Sequence, residues 1–180
     1  MSDITVRQIQ LDDAEAFNAH RRCIADEPNN SITYSAGEYL RTVEEERKMI
    51  QAAITEDGQQ LVIALAEGQI VGGCTCRGPS HPALRHTVGL GIDIIPEYRG
   101  CGVGNALMTA MMEWAESNPL VRRVELTVFT SNHRAIGLYL KHGFTIEGTR
   151  HAAYFKYGEY IDAYEMARLF GFRQGNESLA

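Results

Sequence analysis

Apolar and polar residues alternate from Ile4 to Ile9, the period of a half-buried strand, and helical spacing follows behind Asp12-Asp13-Ala14-Glu15-Ala16-Phe17. Acidic residues at that opening suit the positive end of a helix dipole. Glu27-Pro28-Asn29-Asn30-Ser31 breaks the order, and the spacing then predicts a long charged helix from Ser35 to about Ile54. Its run Glu44-Glu45-Glu46-Arg47-Lys48 reads as a solvated face. Leu61–Glu67 and Gln69–Cys76 form a hairpin turning at Gly68, followed by a loop through Gly78-Pro79-Ser80-His81-Pro82. His86–Ile95 is the next strand, closed by Pro96. Helical periodicity begins near Gly102 and runs through Asn105–Ala115, and Val124–Val128 reads as another strand. This mixture of elements is that of an α/β protein.

Between the strand ending at Ile95 and the following helix lies Tyr98-Arg99-Gly100-Cys101-Gly102-Val103-Gly104. Glycines let a backbone curl and aim consecutive N–H groups at an anion on a helix N-terminus, and Arg99 adds a positive charge, so the loop suits a pyrophosphate. Glycine clusters also cap helices and make turns, and the loop alone leaves both readings open. Two nucleotide motifs are excluded. Gly104 is followed by Asn105 and Ala106, without the lysine of a nucleoside triphosphate loop. The third glycine of a dinucleotide fingerprint is missing where Asn105 stands, and Val121-Arg122-Arg123 occupies the place of its acidic residue.

Arg99-x-x-Gly102-x-Gly104 resembles the acetyl-CoA pyrophosphate loop of the GNAT superfamily of N-acetyltransferases. Asn132-x-x-Ala135-x-x-Leu138-Tyr139-x-x-x-Gly143-Phe144 is similar to a second motif of that family, in the expected order and separated by one helix and one strand. Ile146–Arg150 and Tyr157–Arg168 resemble the C-terminal part of bacterial L-amino-acid N-acetyltransferases. The resemblance spans roughly residues 4 to 169. It implies a mixed, mostly antiparallel sheet splayed between strands 4 and 5, with helices on both faces. It also implies acetyl-CoA as co-substrate, no metal, and transfer of acetyl to a primary amine, as on a small L-amino acid. A polyamine, a protein N-terminus, or a CoA-binding sensor without turnover are the alternatives.

By the same resemblance, Tyr139 is the proton donor to the departing thiolate and Asn132 bonds the pantetheine arm while capping its helix. Backbone near Ile94 and Ile95 polarises the acetyl carbonyl. Arg99, Gly100, Cys101, Gly102, Val103, Gly104, Asn105, Asn132, Ala135 and Tyr139 complete the cofactor set. The sequence departs from the family pattern at Gly89, where many relatives place a carboxylate to relay the amine proton. Asp93 shares the strand parity of Gly89 and is the catalytic candidate in its stead, acting through water, with His86, His133, Glu159 and Asp162 as weaker choices. The segments from Asn30 to Arg41, taken as helical, and from His151 to Tyr160 flank the acceptor. There Tyr34, Tyr39, Tyr154, Phe155 and Tyr157 are available for an apolar pocket, and Arg77, Arg85 and Arg150 for an α-carboxylate.

Composition narrows the partners. The 180 residues, 44% hydrophobic and 22% charged, suit one domain over residues 1–170 with a polar tail over 171–180 that frays. A formal net charge of -6 argues against nucleic acid and anionic membranes. Cys23, Cys74, Cys76 and Cys101 lack zinc-site spacing, and the N-terminus carries no apolar signal segment, so a reduced cytoplasmic setting is expected. The family resemblance adds the expectation of a homodimer.

Overall fold

In the computed structural model, which describes residues 3–78 and 81–171, one seven-stranded sheet carries apolar side chains on both faces. The strands are β1 (Ile4–Gln8), β2 (Gln59–Ala66), β3 (Gln69–Arg77), β4 (Thr87–Ile94), β5 (Arg123–Phe129), β6 (Thr145–Lys156) and β7 (Glu159–Leu169), in the spatial order β1-β2-β3-β4-β5-β7-β6. Every pairing is antiparallel except β4 with β5. The helices are α1 (Ala14–Asp26), α2 (Val43–Thr55), α3 (Val103–Ser117) and α4 (His133–Lys141).

Alternation along β2 shows how the layers form. Val62, Ala64 and Ala66 turn to a cluster with Leu107, Met108 and Met111 of α3. Leu61 and Ile63, one residue out of step, join Phe17 of α1 and Ile50 of α2 on the opposite face. The β2–β3 and β6–β7 hairpins turn through Glu67-Gly68 and Tyr157-Gly158, each pair with positive φ, as a two-residue turn between twisted strands requires. No helix among the described residues is long and apolar enough to cross a membrane.

Two expectations need correction. The helix expected from Ser35 starts only at Val43, and residues 30–42 contain no helix. A turn at Ser35–Glu38, with Gly37 at φ +77°, interrupts the chain first. Thr42 and Glu45 then form a reciprocal capping box that fixes the true start. Within the charge run, Glu46 is fully buried rather than solvated: its carboxylate accepts a hydrogen bond from the Tyr39 hydroxyl at 2.6 Å. The tail expected to fray lies, beyond Gly171, outside the described residues, as do positions 79 and 80 of the loop before Pro82.

The feature that positions the site is a break in strand pairing. β4 and β5 run together only where Thr87–Gly89 meets Arg123–Glu125, and beyond that they diverge.

Candidate active site

Two hydrogen bonds fix which backbone groups face the opening. The Ile95 N–H donates to the Val71 carbonyl at 3.1 Å, and antiparallel pairs alternate in type, so Gly72/Ile94 and Cys74/Ile92 are pairs without mutual bonds. The N–H and C=O of Ile92 and Ile94 therefore point away from β3, toward β5. On the other side the Thr130 N–H donates to Asp162 O at 3.0 Å, and the same alternation turns Thr127 and Phe129 away from β7 toward β4. Between these edges lies a cleft of about 660 Å³. Some of the exposed groups find local partners: Ile94 O accepts from Arg99 Nε (2.8 Å), and Phe129 O from the Asn132 N–H (2.9 Å).

Across the opening α4 presents Tyr139, Leu138 and Ala135. Burial, reinforced by the nearby Cys74 and Asp93, pushes the Tyr139 phenol well above its ordinary pKa, so it stays protonated at neutral pH. Asn132 lines the cleft and caps α4 as well, its Oδ1 accepting from the Ala135 N–H at 3.2 Å. That bond occupies the Ala135 N–H, so Ala135 meets the cleft without it.

The positive charge of the glycine loop is paired. Arg99 is not an uncommitted cation: its guanidinium grips the Glu27 carboxylate through both Nη atoms, at 2.6 and 2.5 Å. The donors left open at this loop are backbone groups. Gly102 caps α3 at φ +89°, and the first N–H to bond within the helix is that of Ala106, to Gly102 O, which leaves the N–H groups of Val103, Gly104 and Asn105 as the open first turn. Gly104 is needed for packing, since a Cβ there would lie 3.1 Å from Leu138 Cδ2 and 3.2 Å from Ile94 Cδ1. Gly100 and Cys101 form the turn before it, Cys101 exposed. The Asn105 side chain leans to His142 Nε2 at 3.3 Å.

The opposite face of the sheet holds a buried charged cluster. Gly89, Gly91 and Asp93 share one parity on β4, facing α1. Asp93 is buried, with Oδ1 accepting from His20 Nε2 at 2.5 Å and Oδ2 lying 2.9 Å from Arg21 Nη1. Burial alone would raise its pKa, but the Arg21 charge and the His20 hydrogen bond outweigh that and hold it below the usual carboxylate range. Such a carboxylate is a poor proton acceptor. Sequence reasoning missed His20 and Arg21, although Phe17, His20, Arg21 and Ile24 are spaced i, i+3, i+4, i+7 and so share one helix face.

Of the expected acceptor residues, Tyr34 and Tyr154 line the cleft, Tyr154 packing on Phe129. Tyr39 is taken by Glu46, while Phe155 and Tyr157 are exposed on the β6–β7 hairpin outside it. None of the three expected arginines reaches the cleft. Arg77 lies in a separate groove with Arg41 and Lys48, Arg150 pairs with Glu165 at 3.8 Å, and Arg85 ends the short turn Pro82–Leu84. Arg21, Arg99 and Arg134 are the arginines that line it. His133 also lines the cleft, whereas Asp162 is paired with His151, and His86 and Glu159 lie elsewhere.

The model of a family described as Acetyltransferase (GNAT) family matches residues 20–144. The chain is 39% identical over 112 residues to the L-amino acid N-acetyltransferase AaaT of Escherichia coli (strain K12), covering 62% of this chain and 69% of that one. A GNAT-family acetyltransferase from Streptococcus pneumoniae has a similar structure, with TM-score 0.90 and 30% identity over 94% of this chain and 100% of its own. The phosphinothricin acetyltransferase of Sinorhizobium meliloti, solved in complex with AcCoA, gives TM-score 0.80 at 26% identity, over 94% and 89% of the two chains.

Proposed function

The chain belongs to the GNAT family of acetyltransferases, and on that premise we propose that it transfers acetyl from acetyl-CoA to the α-amine of a small L-amino acid. The observation that carries the reading is the opening between β4 and β5, edged by backbone N–H groups and faced by a protonated Tyr139. Acetyl-CoA supplies the acyl group as a thioester. The N–H of Ile94 polarises its carbonyl and stabilises the oxyanion that forms when the neutral amine attacks. As the new C–N bond forms and the C–S bond breaks, Tyr139 gives its proton to the sulfur and recovers one from solvent. The amine proton leaves to water over the side-chain-free floor at Gly89 and Gly91. The α3 first turn and Asn132 hold the co-substrate.

Asp93 takes part by holding Arg21, which lines the cleft with its Nη2 only 3.3 Å from Thr75 Oγ1 and so offers the acceptor carboxylate a cation. A relative named for L-amino acid acetylation supports this choice of acceptor, and the use of acetyl-CoA supports a cytoplasmic setting. Thiol release from acetyl-CoA, measured with L-amino acids, polyamines and short peptides and with products weighed by mass spectrometry, tests it. Turnover on an L-amino acid is the expected result. Acetylation only of polyamines or peptide N-termini overturns the acceptor, and acetyl-CoA binding without turnover on any of them overturns the enzyme reading in favour of a sensor.

A further inference from the structure

Residues 29–34 form much of the acceptor wall of the cleft, yet they lie in neither helix nor strand. A wall of this kind needs its carbonyl groups satisfied by something other than a ladder. That partner is a single side chain from the far end of the sequence. Lys156, the last residue of β6, is buried, and its ammonium reaches Asn30 Oδ1 at 2.5 Å, Ile32 O at 2.6 Å and Tyr34 O at 2.8 Å, with Asn30 O at 3.4 Å. Three close acceptors match the three donors of an ammonium. All of these partners are oxygens of neutral groups. The charge is therefore stabilised by dipoles converging from the loop, with the Tyr157 ring, its centroid 4.9 Å away, adding a cation–π contact from the hairpin.

The node reaches further through Asn30, which is also buried. Its Nδ2 donates to Ala25 O (2.7 Å) and Glu27 O (3.2 Å) at the end of α1, and its Oδ1 accepts from the Ile32 N–H as well (3.2 Å). Glu27 in turn grips Arg99 beside the glycine loop. The segment is thus held at its start from the co-substrate side and along its length from the β6–β7 hairpin.

We infer that Lys156 is a positioning residue for the acceptor: by gathering the carbonyls of Asn30, Ile32 and Tyr34 it fixes the shape of the wall that selects the amine. The kinetic arm of the test rests on the acetyl-transfer reading, whereas a hydrogen-exchange arm does not. Lys156→Met keeps the apolar stem and removes the ammonium. The Asn30 and Ile32 amides, whose N–H groups are bonded to Glu27 O and Asn30 Oδ1, should then exchange at least about tenfold faster, the scale on which charge-assisted hydrogen bonds count, while α3 amides are unchanged. With the amine found by the acceptor panel, its KM should rise about tenfold or more, with kcat and the KM for acetyl-CoA held within about twofold. Unchanged exchange at Asn30 and Ile32, or KM values for both substrates rising together, overturns the inference. Absence of any acceptor would count against the proposed reaction and leave the exchange result standing on its own. If Lys156→Met does not fold, Lys156→Gln, which keeps a neutral donor but removes the charge and two of the three close bonds, carries the same two readouts.

Discussion

Replacing Asp93 with asparagine tests the buried cluster most directly. The substitution keeps size and an acceptor for His20 Nε2, but it removes the negative charge and sets an amide N–H against the Arg21 guanidinium, where a carboxylate oxygen now lies at 2.9 Å. The Asp93 side chain is only 4% exposed, so water cannot replace the lost partner there. Breaking a buried ion pair by removing one partner costs about 3 to 5 kcal/mol, and Arg21, still 23% exposed, places the loss near about 3 kcal/mol. For a chain of this length that corresponds to a fall in Tm of roughly 6 to 12 °C, read by calorimetry at pH 7. The pH dependence has a definite sign. Because the folded carboxyl titrates below its unfolded counterpart, its contribution is complete above the unfolded pKa and is lost as pH falls through the folded one. The gap between wild type and Asp93→Asn should therefore hold steady near neutrality and close in acid. A variant within about 2 °C of wild type at pH 7, or a gap that widens on acidification, would refute the argument.

Tyr139→Phe keeps the ring packed against Phe144, at 5.8 Å between centroids, and removes the proton; kcat should fall about 100-fold or more with the Kd for acetyl-CoA unchanged. Thiol release and titration calorimetry check both halves, and near-normal turnover would mean the thiolate takes its proton elsewhere. With no side chain at Gly89 and Asp93 ionised, the neutral fraction of the amine governs the rate, which should climb between about pH 6 and 9; a flat profile over that range counts against a solvent-borne proton. Gly73→Ala would place a Cβ 2.9 Å from Phe17 Cε2 and should cost about 1 to 3 kcal/mol in chemical unfolding. Gly91→Ala, with nothing within 4 Å of its Cβ, should leave stability unchanged and raise the KM of the acceptor; equal unfolding midpoints for the two variants would contradict this contrast.

The first five strands and the glycine loop could be read from the sequence because local patterns specify them, as alternation in Ile4–Ile9 and the turn at Gly68 show, whereas His151–Tyr160, read as joining two strands, lies largely within β6. The start of α2 was also written locally, in Thr42-x-x-Glu45, but the charge run behind it suggested a longer helix than the capping box permits. Glu46 shows why a run of like charges misleads: one member faces Tyr39 across a buried contact while its neighbours Glu44 and Glu45 stay in solvent. The acceptor side was harder for a different reason. Arg21 meets Asp93 across 72 positions, and Lys156 meets oxygens more than 120 positions away, so no window of sequence contains either pair. Arg99 lines the cleft, and its pairing with Glu27 could not be seen in the motif because Glu27 lies 72 residues upstream.

The backbone of β4 explains why its contribution to chemistry is so hard to see in its letters. In a strand, side-chain direction and hydrogen-bond direction alternate with the same period of two. On β4 that coincidence makes Ile92 and Ile94, whose peptide groups point into the opening, the same residues whose side chains pack with the α3 cluster. Their identity is set by packing, and any apolar residue of that size would leave the N–H groups equally well aimed. The alternate residues Gly89, Gly91 and Asp93 face α1 with backbone bonded to β3, so what they present to that face is set by their side chains, or the lack of them. One strand thus turns its backbone to the opening and its alternate side chains to α1, and in the proposed reaction the first would serve the thioester and the second the amine. A slip of a single residue would exchange the two sets, and the β3 pairing from Gly72/Ile94 to Arg77/Gly89, without a bulge, is what prevents it.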